Sequence, residues 1–325
     1  MASVGRCNPK LVGYDADVSG HPGVSVVIPT RNRADSTVAA VRSALAQEWD
    51  ALEVIVVNDA STDETAERVR ELAASDPRVR LVTLEWNQGP SAARNRGVET
   101  ATLPFVAFLD SDNTFVADKL RRQMPELIGA PAGSVSFSAY TIEGDGDRRS
   151  VSHESWSPVR EAVIEQLMIG CCVNTSTLIA PRDVILMEGG FRTDLVCCED
   201  HDLWLRLAAA GHGFIYCPEQ LTHYRLHPGS LSADRIRVAE SSERVIGDFL
   251  ERDDLPGTVQ ARRRWYRAQW ALNSAEAYLA SGERRATLYA LWRAACGEPK
   301  AVRPGWLVLA AKAAFMRPGF RRLRP

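Results

Sequence analysis

Four largely apolar runs, rich in β-branched residues, recur along the first third of this 325-residue chain. They cover residues 24–28, 54–57, 80–84 and 105–109. Continuous rather than alternating apolar runs are typical of strands that are buried on both faces of a parallel sheet. Helical patterns separate the runs, as where Val38, Val41 and Leu45 share one face of a helix from about residue 35. The sequence therefore predicts an α/β fold with a Rossmann-like, mostly parallel central sheet flanked by helices.

Polar residues follow each of these strands at once. The clusters are Thr30-Arg31-Asn32-Arg33, Asn58-Asp59, Asn87-Gln88-Gly89 and Asp110-Ser111-Asp112. The carboxyl ends of parallel strands meet at one edge of a sheet, where helix N-termini point inward and ligands bind. We therefore expect a ligand site at that edge. The first strand lacks the glycine-rich loop of a dinucleotide-binding or Walker A motif.

The acidic triplet at residues 110–112 places two carboxylates one residue apart at a strand end. Hard oxygen ligands suit Mg²⁺ or Mn²⁺, which take only one or two protein carboxylates when phosphate oxygens complete the shell. Asp59 leaves two interpretations open, an acceptor for a base or ribose and an Asx turn. Arg94 is open in the same way, since it could face phosphate or base or be a solvated helix residue.

Composition excludes some classes of protein. The formal net charge is −2 and the pI is near 6.3, which argues against a nucleic-acid partner. The N-terminus lacks a signal-peptide pattern, and no apolar run reaches eighteen residues. We therefore expect a cytoplasmic protein.

The second half of the chain is less regular. A Gly/Asp turn at 144–147 predicts a hairpin, and residues 174–179 read as a strand. Ser61 with Glu64 predicts a capping box, and Ser91 predicts a second helix cap. From about residue 234 the pattern is almost wholly helical.

Asp200 lies in the first turn of a predicted helix, where an aspartate is commonly a capping residue. Glu199 and Asp202 crowd the same turn, however, and a cation or a catalytic role would explain why three like charges lie together. His227 precedes a Pro-Gly turn, and as a single histidine it favours a structural interpretation.

Six of these segments, in this order, resemble the motifs of family 2 glycosyltransferases with the GT-A fold. They are VVIPTRN at 26–32, VVNDASTD at 56–63, GPSAARNRG at 89–97, FLDSD at 108–112, EDHDLWLRL at 199–207 and YRLH at 224–227. The resemblance implies a catalytic domain at 23–233, and the turn-rich residues before it are predicted to form a lead-in segment at 1–22. That domain divides into a nucleotide-sugar half at about 23–113 and an acceptor half at about 114–233. A C-terminal helical region at 234–325 follows.

The resemblance also implies a role for individual residues. The nucleotide-sugar pocket would contain Pro29, Thr30, Arg31, Asn32, Asp59, Arg94, Asp110 and Ser111. Asp112 matches the metal-binding carboxylate of the DxD motif, and His227 matches a histidine that can join the metal and diphosphate site. Asp200 matches the catalytic base.

The implied reaction is an inverting transfer of a sugar from a UDP-, dTDP- or GDP-sugar, with Mn²⁺ or Mg²⁺. The acceptor is a hydroxyl of a glycan, a lipid-linked saccharide or a small molecule. Two alternatives stay open. A sugar-phosphate nucleotidyltransferase would need a glycine-rich, basic loop after the first strand, which residues 29–32 do not offer. An inactive nucleotide-sugar-binding module would not need both Asp112 and Asp200.

The C-terminal tail carries an apolar run at 306–311, followed by arginines at 317, 321, 322 and 324. That run is too short to span a bilayer. It predicts either a helix docked on the catalytic domain or peripheral contact with an anionic membrane.

Overall fold

The computed structural model describes residues 21–144, 147–227, 229–230, 233–299 and 311. The chain forms two compact units, both discontinuous in sequence. Unit 1 comprises Met1–Pro158, Val173–Gly190 and His212–Arg225, and unit 2 comprises Val159–Cys172, Phe191–Gly211 and Leu226–Pro325. The contiguous domains expected from the sequence, with limits at 22/23 and 233/234, stay a prediction.

The first half of the sheet in unit 1 is parallel, as the sequence predicts. It contains β1 (Val24–Thr30), β2 (Leu52–Asn58), β3 (Val79–Thr83) and β4 (Phe105–Phe108), in the spatial order β3-β2-β1-β4. Every residue of β1 and β2 is buried, which explains why these strands read as continuous apolar runs.

The second half of the sheet is mixed. It contains β5 (Thr114–Phe115), β6 (Val135–Gly144), β7 (Asp147–Val151), β8 (Ile179–Pro181) and β9 (Phe214–Arg225). Strand β8 is antiparallel to both β4 and β6, whereas β6 and β9 are parallel. The predicted hairpin is confirmed by the antiparallel pairing of Gly144 with Asp147 between β6 and β7.

Helices accompany the sheet in unit 1 and dominate unit 2. Unit 1 contains α1 (Ala34–Leu45), α2 (Thr65–Ser75), α3 (Gly89–Thr100), α4 (Lys119–Gly129) and α6 (Arg182–Met187). Unit 2 contains α5 (Arg160–Ile169), α7 (Glu199–Ala210), α8 (Arg235–Leu250), α9 (Gly257–Ala261), α10 (Arg263–Ala280) and α11 (Arg284–Gly297). The helical pattern predicted beyond residue 234 is confirmed over these described helices.

Both predicted helix caps are wrong. Helix α2 begins at Thr65, whose backbone N–H donates to Asp63 Oδ1 at 3.0 Å, so Ser61 and Glu64 form no capping box. Ser61 accepts a hydrogen bond from another loop instead. Helix α3 begins at Gly89, so Ser91 lies inside its first turn, and a proline near the start suits that position.

The strand predicted at 174–179 is wrong over most of its length. Residues Thr175–Thr177 form a 3-10 turn, and β8 begins only at Ile179. The side chain of Asn174 explains the difference, because its Oδ1 accepts a hydrogen bond from the Ser176 backbone N–H at 2.9 Å. Such a local bond competes with strand pairing.

In unit 2, two side chains connect other helices to the carboxyl-terminal end of α5. His201 of α7 is fully buried, and its Nε2 donates to the Leu167 carbonyl at 2.7 Å. Trp270 of α10 donates its Nε1–H to the Met168 carbonyl, also at 2.7 Å. These bonds satisfy carbonyls that the end of a helix leaves without an intrahelical partner.

No helix within the described ranges is long and apolar enough to cross a membrane. The tail prediction concerns residues 306–324, of which the structure describes only Ala311. Apart from that residue, the prediction therefore lies outside the described residues.

The contact of α3 with β1 generates a stability prediction. A Cβ on Gly97 would lie 2.3 Å from Val27 Cγ1, and Val27 is fully buried. We expect Gly97→Ala to reduce the free energy of unfolding by about 1–3 kcal/mol, as overpacking does in other cores. Urea unfolding measures the change.

The control is Gly129→Ala in α4, where an added Cβ meets nothing within 4 Å. We expect its stability to change by less than about 1 kcal/mol. Equal stability of the two variants would contradict the prediction.

The buried histidine of α7 generates a pH prediction. Burial lowers the pKa of His201 to about 4, although the hydrogen bond to the Leu167 carbonyl and the negative charge of Asp202 both act to raise it. Between this value and about 6.5, the unfolded chain binds a proton that the folded chain does not, so stability is lost as pH falls. In His201→Gln, the amide can still donate a hydrogen bond to the Leu167 carbonyl but does not titrate. We therefore expect the free energy of unfolding to fall by about 2 kcal/mol less in this variant than in the unmodified protein between pH 7.5 and 5. Urea unfolding of both proteins at the two pH values tests this. If the stability of both proteins depended on pH in the same way, folding would not lower the pKa of His201 and the prediction would be wrong.

Candidate functional site

The loops that follow β1 and β2 are joined to each other. The Asn32 backbone N–H donates to Ser61 Oγ at 3.0 Å, and Asn32 Oδ1 accepts from the Thr62 backbone N–H at 2.8 Å. Asn32 and Ala60 both adopt positive φ, 52° and 51°, which costs energy for residues with a side chain. The mutual hydrogen bonds offset that cost and fix the two loops as one surface.

Asp59 binds the amino-terminal end of α3 with both carboxylate oxygens. Its Oδ1 accepts from the Gln88 backbone N–H at 2.7 Å, and its Oδ2 accepts from the Gly89 backbone N–H at 2.9 Å. The partial positive charge at a helix N-terminus favours a carboxylate there. Asp59 therefore reaches across to the loop after β3 instead of forming a local Asx turn. A carboxylate has about four acceptor sites, so it can also accept from a ligand.

Arg94 and Asp110 form a largely buried ion pair. Arg94 Nη2 lies 2.7 Å from Asp110 Oδ1, and only 7% of the Arg94 side chain is exposed. The backbone N–H of Asp110 donates to Ser176 Oγ at 3.0 Å, and Asn113 Nδ2 donates to the same hydroxyl at 2.9 Å. Arg94 is therefore not a solvated helix residue, and the acidic loop is held from two sides.

Arg33 forms an ion pair with the second carboxylate, through Nη1 and Asp112 Oδ2. Both side chains are partly exposed, 29% for Arg33 and 16% for Asp112. Arg33 is also the residue that precedes α1, and its carbonyl accepts from the Thr37 backbone N–H at 2.9 Å. The sequence pattern includes Arg33 in a polar cluster but gives it no role.

The two carboxylates fit a hard cation that takes most of its ligands from elsewhere. No three His, Cys, Asp or Glu side chains converge as a ready-made metal site in the part of the chain that the structure describes. Mg²⁺ and Mn²⁺ do not require one when water and phosphate oxygens complete the shell. Asp110 and Asp112 are one residue apart and partly exposed, with side-chain exposures of 26% and 16%. Such a cation would compete with the two arginines for their oxygens.

The other predicted pocket residues of unit 1 divide by exposure. Pro29 and Thr30 are the last residues of β1 and are buried. Arg31 and Asn32 are exposed, and Ser111 is buried between the two aspartates. The structure thus brings together two pairs of these residues, Arg94 with Asp110 and Arg33 with Asp112, and joins Asp59 to the start of α3. Their roles at a ligand site stay a prediction. Ser176 is the supporting residue that sequence reasoning missed, because it is far away in the chain and lies in a segment read as a strand.

In unit 2, the acidic residues at the start of α7 have different surroundings. Asp202 is buried and forms ion pairs with Arg206, at 2.8 Å, and Arg192, at 3.3 Å. Glu199 is also buried, whereas Asp200 is partly exposed and its Oδ1 accepts from the His201 backbone N–H at 2.7 Å. Asp202 is therefore a structural ion-pair residue, and Asp200 is the carboxylate that solvent reaches.

His227 is partly buried in unit 2. Its Nδ1 accepts from the Gly229 backbone N–H at 3.1 Å, and its own backbone N–H donates to Ser230 Oγ at 3.1 Å. An Nδ1 that accepts places the proton of a neutral ring on Nε2. In this conformation the ring offers no lone pair at Nε2, so binding a cation there would require the other tautomer.

Comparison with known proteins identifies the family of this chain. The model of the family described as "Glycosyl transferase family 2" matches residues 25–182. Succinoglycan biosynthesis protein ExoO from Rhizobium meliloti is 30% identical over 308 residues, which cover 90% of this chain and 86% of that protein. The Escherichia coli UDP-Glc:alpha-D-GlcNAc-diphosphoundecaprenol beta-1,3-glucosyltransferase WfgD is 28% identical over 229 residues, covering 70% and 87%.

The fold is also found among solved structures. The mannosyltransferase PcManGT from Pyrobaculum calidifontis, in complex with GDP-Man and Mn²⁺, superposes with a TM-score of 0.61 at 21% identity. The match covers 95% of this chain and 88% of that one. Identity, coverage and fold agree: the chain belongs to glycosyl transferase family 2 and is a glycosyltransferase with the GT-A fold.

Proposed function

We propose that the enzyme transfers a sugar from a nucleoside-diphosphate donor to an acceptor hydroxyl, with inversion at the anomeric carbon. The observation that carries this proposal is the set of charged groups at the carboxyl edge of the parallel strands. Asp59, Arg94, Asp110 and Asp112 lie there, beside the N-terminus of α3. The carboxylates of such a set can bind a divalent cation, and a helix N-terminus can bind the phosphates of the donor.

The residues of unit 1 bind and orient the donor in this proposal. Thr30 and Asn32 line the nucleotide pocket, and Asp59 accepts from the base or ribose while it holds α3. Arg94 keeps Asp110 in place through their 2.7 Å ion pair. Asp112, with support from Asp110, would hold Mn²⁺ or Mg²⁺, and the role that the family resemblance implies for His227 stays a prediction. A bound cation neutralises charge on the departing nucleoside diphosphate.

Asp200 is the proposed general base. It is partly exposed, whereas Glu199 and Asp202 in the same turn are buried. Proton transfer requires a carboxylate that the acceptor hydroxyl can reach. Asp200 removes that proton as the hydroxyl oxygen forms a bond to the donor C1, and the bond from C1 to the diphosphate oxygen breaks. One displacement of this kind inverts the configuration at C1.

The similar proteins suggest the substrate classes. By their names, WfgD uses UDP-Glc and a diphosphoundecaprenol-linked saccharide, and PcManGT binds GDP-Man. We propose a UDP-, dTDP- or GDP-sugar as donor and a lipid-linked saccharide as the first acceptor to test. An acceptor anchored in this way would place a cytoplasmic enzyme in peripheral contact with the membrane.

A screen of purified protein tests the proposal directly. UDP-, dTDP- and GDP-sugars are incubated with Mn²⁺ and a diphospholipid-linked saccharide, and release of nucleoside diphosphate is measured. The anomeric configuration of the product is then read by NMR. Transfer with retention would contradict the mechanism, and binding without turnover would favour the inactive module.

Asp112→Asn tests the cation site. The substitution removes an anionic ligand that faces the diphosphate, so we expect weaker donor binding in Mn²⁺ and turnover reduced at least about a hundredfold. Calorimetry and nucleoside-diphosphate release measure the two effects. The control is Asp35→Asn, which removes the same charge from a side chain that is 91% exposed. Full activity of the unmodified enzyme in EDTA would rule out the cation.

Asp200→Asn tests the base. The amide keeps the shape of the side chain and its acceptor for the His201 N–H, but it cannot take a proton. We expect turnover to fall about a hundredfold or more while donor affinity changes little. Asp253→Asn, on an exposed residue of the same unit, is the matched control. A variant at position 200 with normal turnover would show that another residue is the base.

A further inference from the structure

The two arginines of the acidic loop are not equivalent. Arg94 is 7% exposed in its side chain and sits in the middle of α3, so its pair with Asp110 is fixed by packing. The Arg33 side chain is 29% exposed and approaches Asp112 from the loop before α1. The Asp112 pair is therefore the one of the two that can open without disrupting the core.

The backbone of Arg33 is nevertheless fixed. Its N–H donates to Thr65 Oγ1 at 2.9 Å, which joins it to the start of α2. Its carbonyl accepts from both the backbone N–H of Thr37, at 2.9 Å, and the hydroxyl of Thr37, at 2.6 Å. With the backbone held in this way, any movement would be that of the partly exposed side chain beside Asp112.

Charge balance indicates what such a movement would do. The carboxylates of Asp110 and Asp112 are neutralised by the guanidinium groups of Arg94 and Arg33. A divalent cation added alone would leave an excess of positive charge in a partly buried site. A cation that arrives with a diphosphate brings compensating charge, and the guanidinium displaced from Asp112 then has phosphate oxygens to bind. Arginine binds phosphate as readily as carboxylate, with two parallel N–H donors.

We propose that Arg33 is an exchangeable counter-ion of Asp112. When the cation binds Asp112, the Arg33 guanidinium leaves this carboxylate and binds the donor's diphosphate instead. This inference rests on the proposed function, because it takes Asp112 as the cation ligand. It makes Arg33 a positioning residue before the donor binds and a phosphate ligand afterwards. Cation and donor are then bound together, and the cation alone is bound weakly.

Metal binding measured apart from activity tests the inference. Mn²⁺ is titrated alone into the unmodified protein and Arg33→Gln, with free Mn²⁺ measured by electron paramagnetic resonance. UDP and GDP are then titrated in saturating Mn²⁺ by calorimetry. We expect Arg33→Gln to bind Mn²⁺ alone about five- to tenfold more tightly, because the competing guanidinium is gone. We expect the same variant to bind the nucleotide about tenfold more weakly.

Two further variants separate charge from geometry and from folding. Arg33→Lys keeps a positive charge but not the two parallel donors, so it should bind Mn²⁺ alone as the unmodified protein does, and the nucleotide more weakly. Arg70→Gln removes one positive charge from an exposed position of α2 and should change neither affinity. A purely structural role for Arg33 would weaken both affinities and lower the melting temperature.

The outcomes distinguish the inference from the function on which it rests. If the unmodified protein binds Mn²⁺ with nucleotide through Asp112, but Arg33→Gln gains no affinity for Mn²⁺, the inference alone is overturned. Tighter Mn²⁺ binding with unchanged nucleotide affinity overturns the transfer of Arg33 to the diphosphate. If Asp112→Asn binds Mn²⁺ and nucleotide as the unmodified protein does, the proposed cation site fails, and the inference fails with it.

Discussion

The parallel pairing of β1 with β2 on one side and β4 on the other determines where the candidate site can form. Thr30 pairs with Asn58, and Val27 pairs with Phe108, so the three strands end close to one another. Every residue of these strands is buried, so sliding a strand would carry the polar residues at its end into the apolar sheet, which is costly. Short loops then suffice to bring charged groups from distant parts of the sequence together.

The sequence predicts this part of the fold well because the signal is local. A fully buried parallel strand must be apolar along its whole length, and the polar residues at its end are adjacent in the chain. Prediction from the sequence misses the hydrogen bonds that join different loops. Ser61 resembles a helix cap, yet its hydroxyl accepts from Asn32, a residue that precedes it by 29 positions. Ser176 binds the Asp110 backbone across 66 positions, and no local pattern reports such a contact.

The acidic turn at the start of α7 shows the same limit. Glu199, Asp200 and Asp202 are chemically alike, and their spacing places all three in one turn. Burial and two arginines separate Asp202 from Asp200 in the structure. One of those arginines, Arg206, is one turn away and could be paired from the sequence, whereas Arg192 lies before the helix. The family resemblance implies that Asp200 is the catalytic base, and its partial exposure gives a physical reason to prefer it over Glu199 and Asp202 for that proposed role.

The bond between Asp59 and the start of α3 has a consequence for protein design. Because both carboxylate oxygens accept from the backbone of Gln88 and Gly89, the helix is anchored by atoms that every non-proline residue possesses. The loop at 84–88 carries the exposed Trp86, and its side chains are not needed for this anchor. A library that varies these side chains and retains Asp59 would change the surface beside the site while the helix keeps its attachment. The loop is thus a place where the surface can be redesigned without detaching α3 from the sheet.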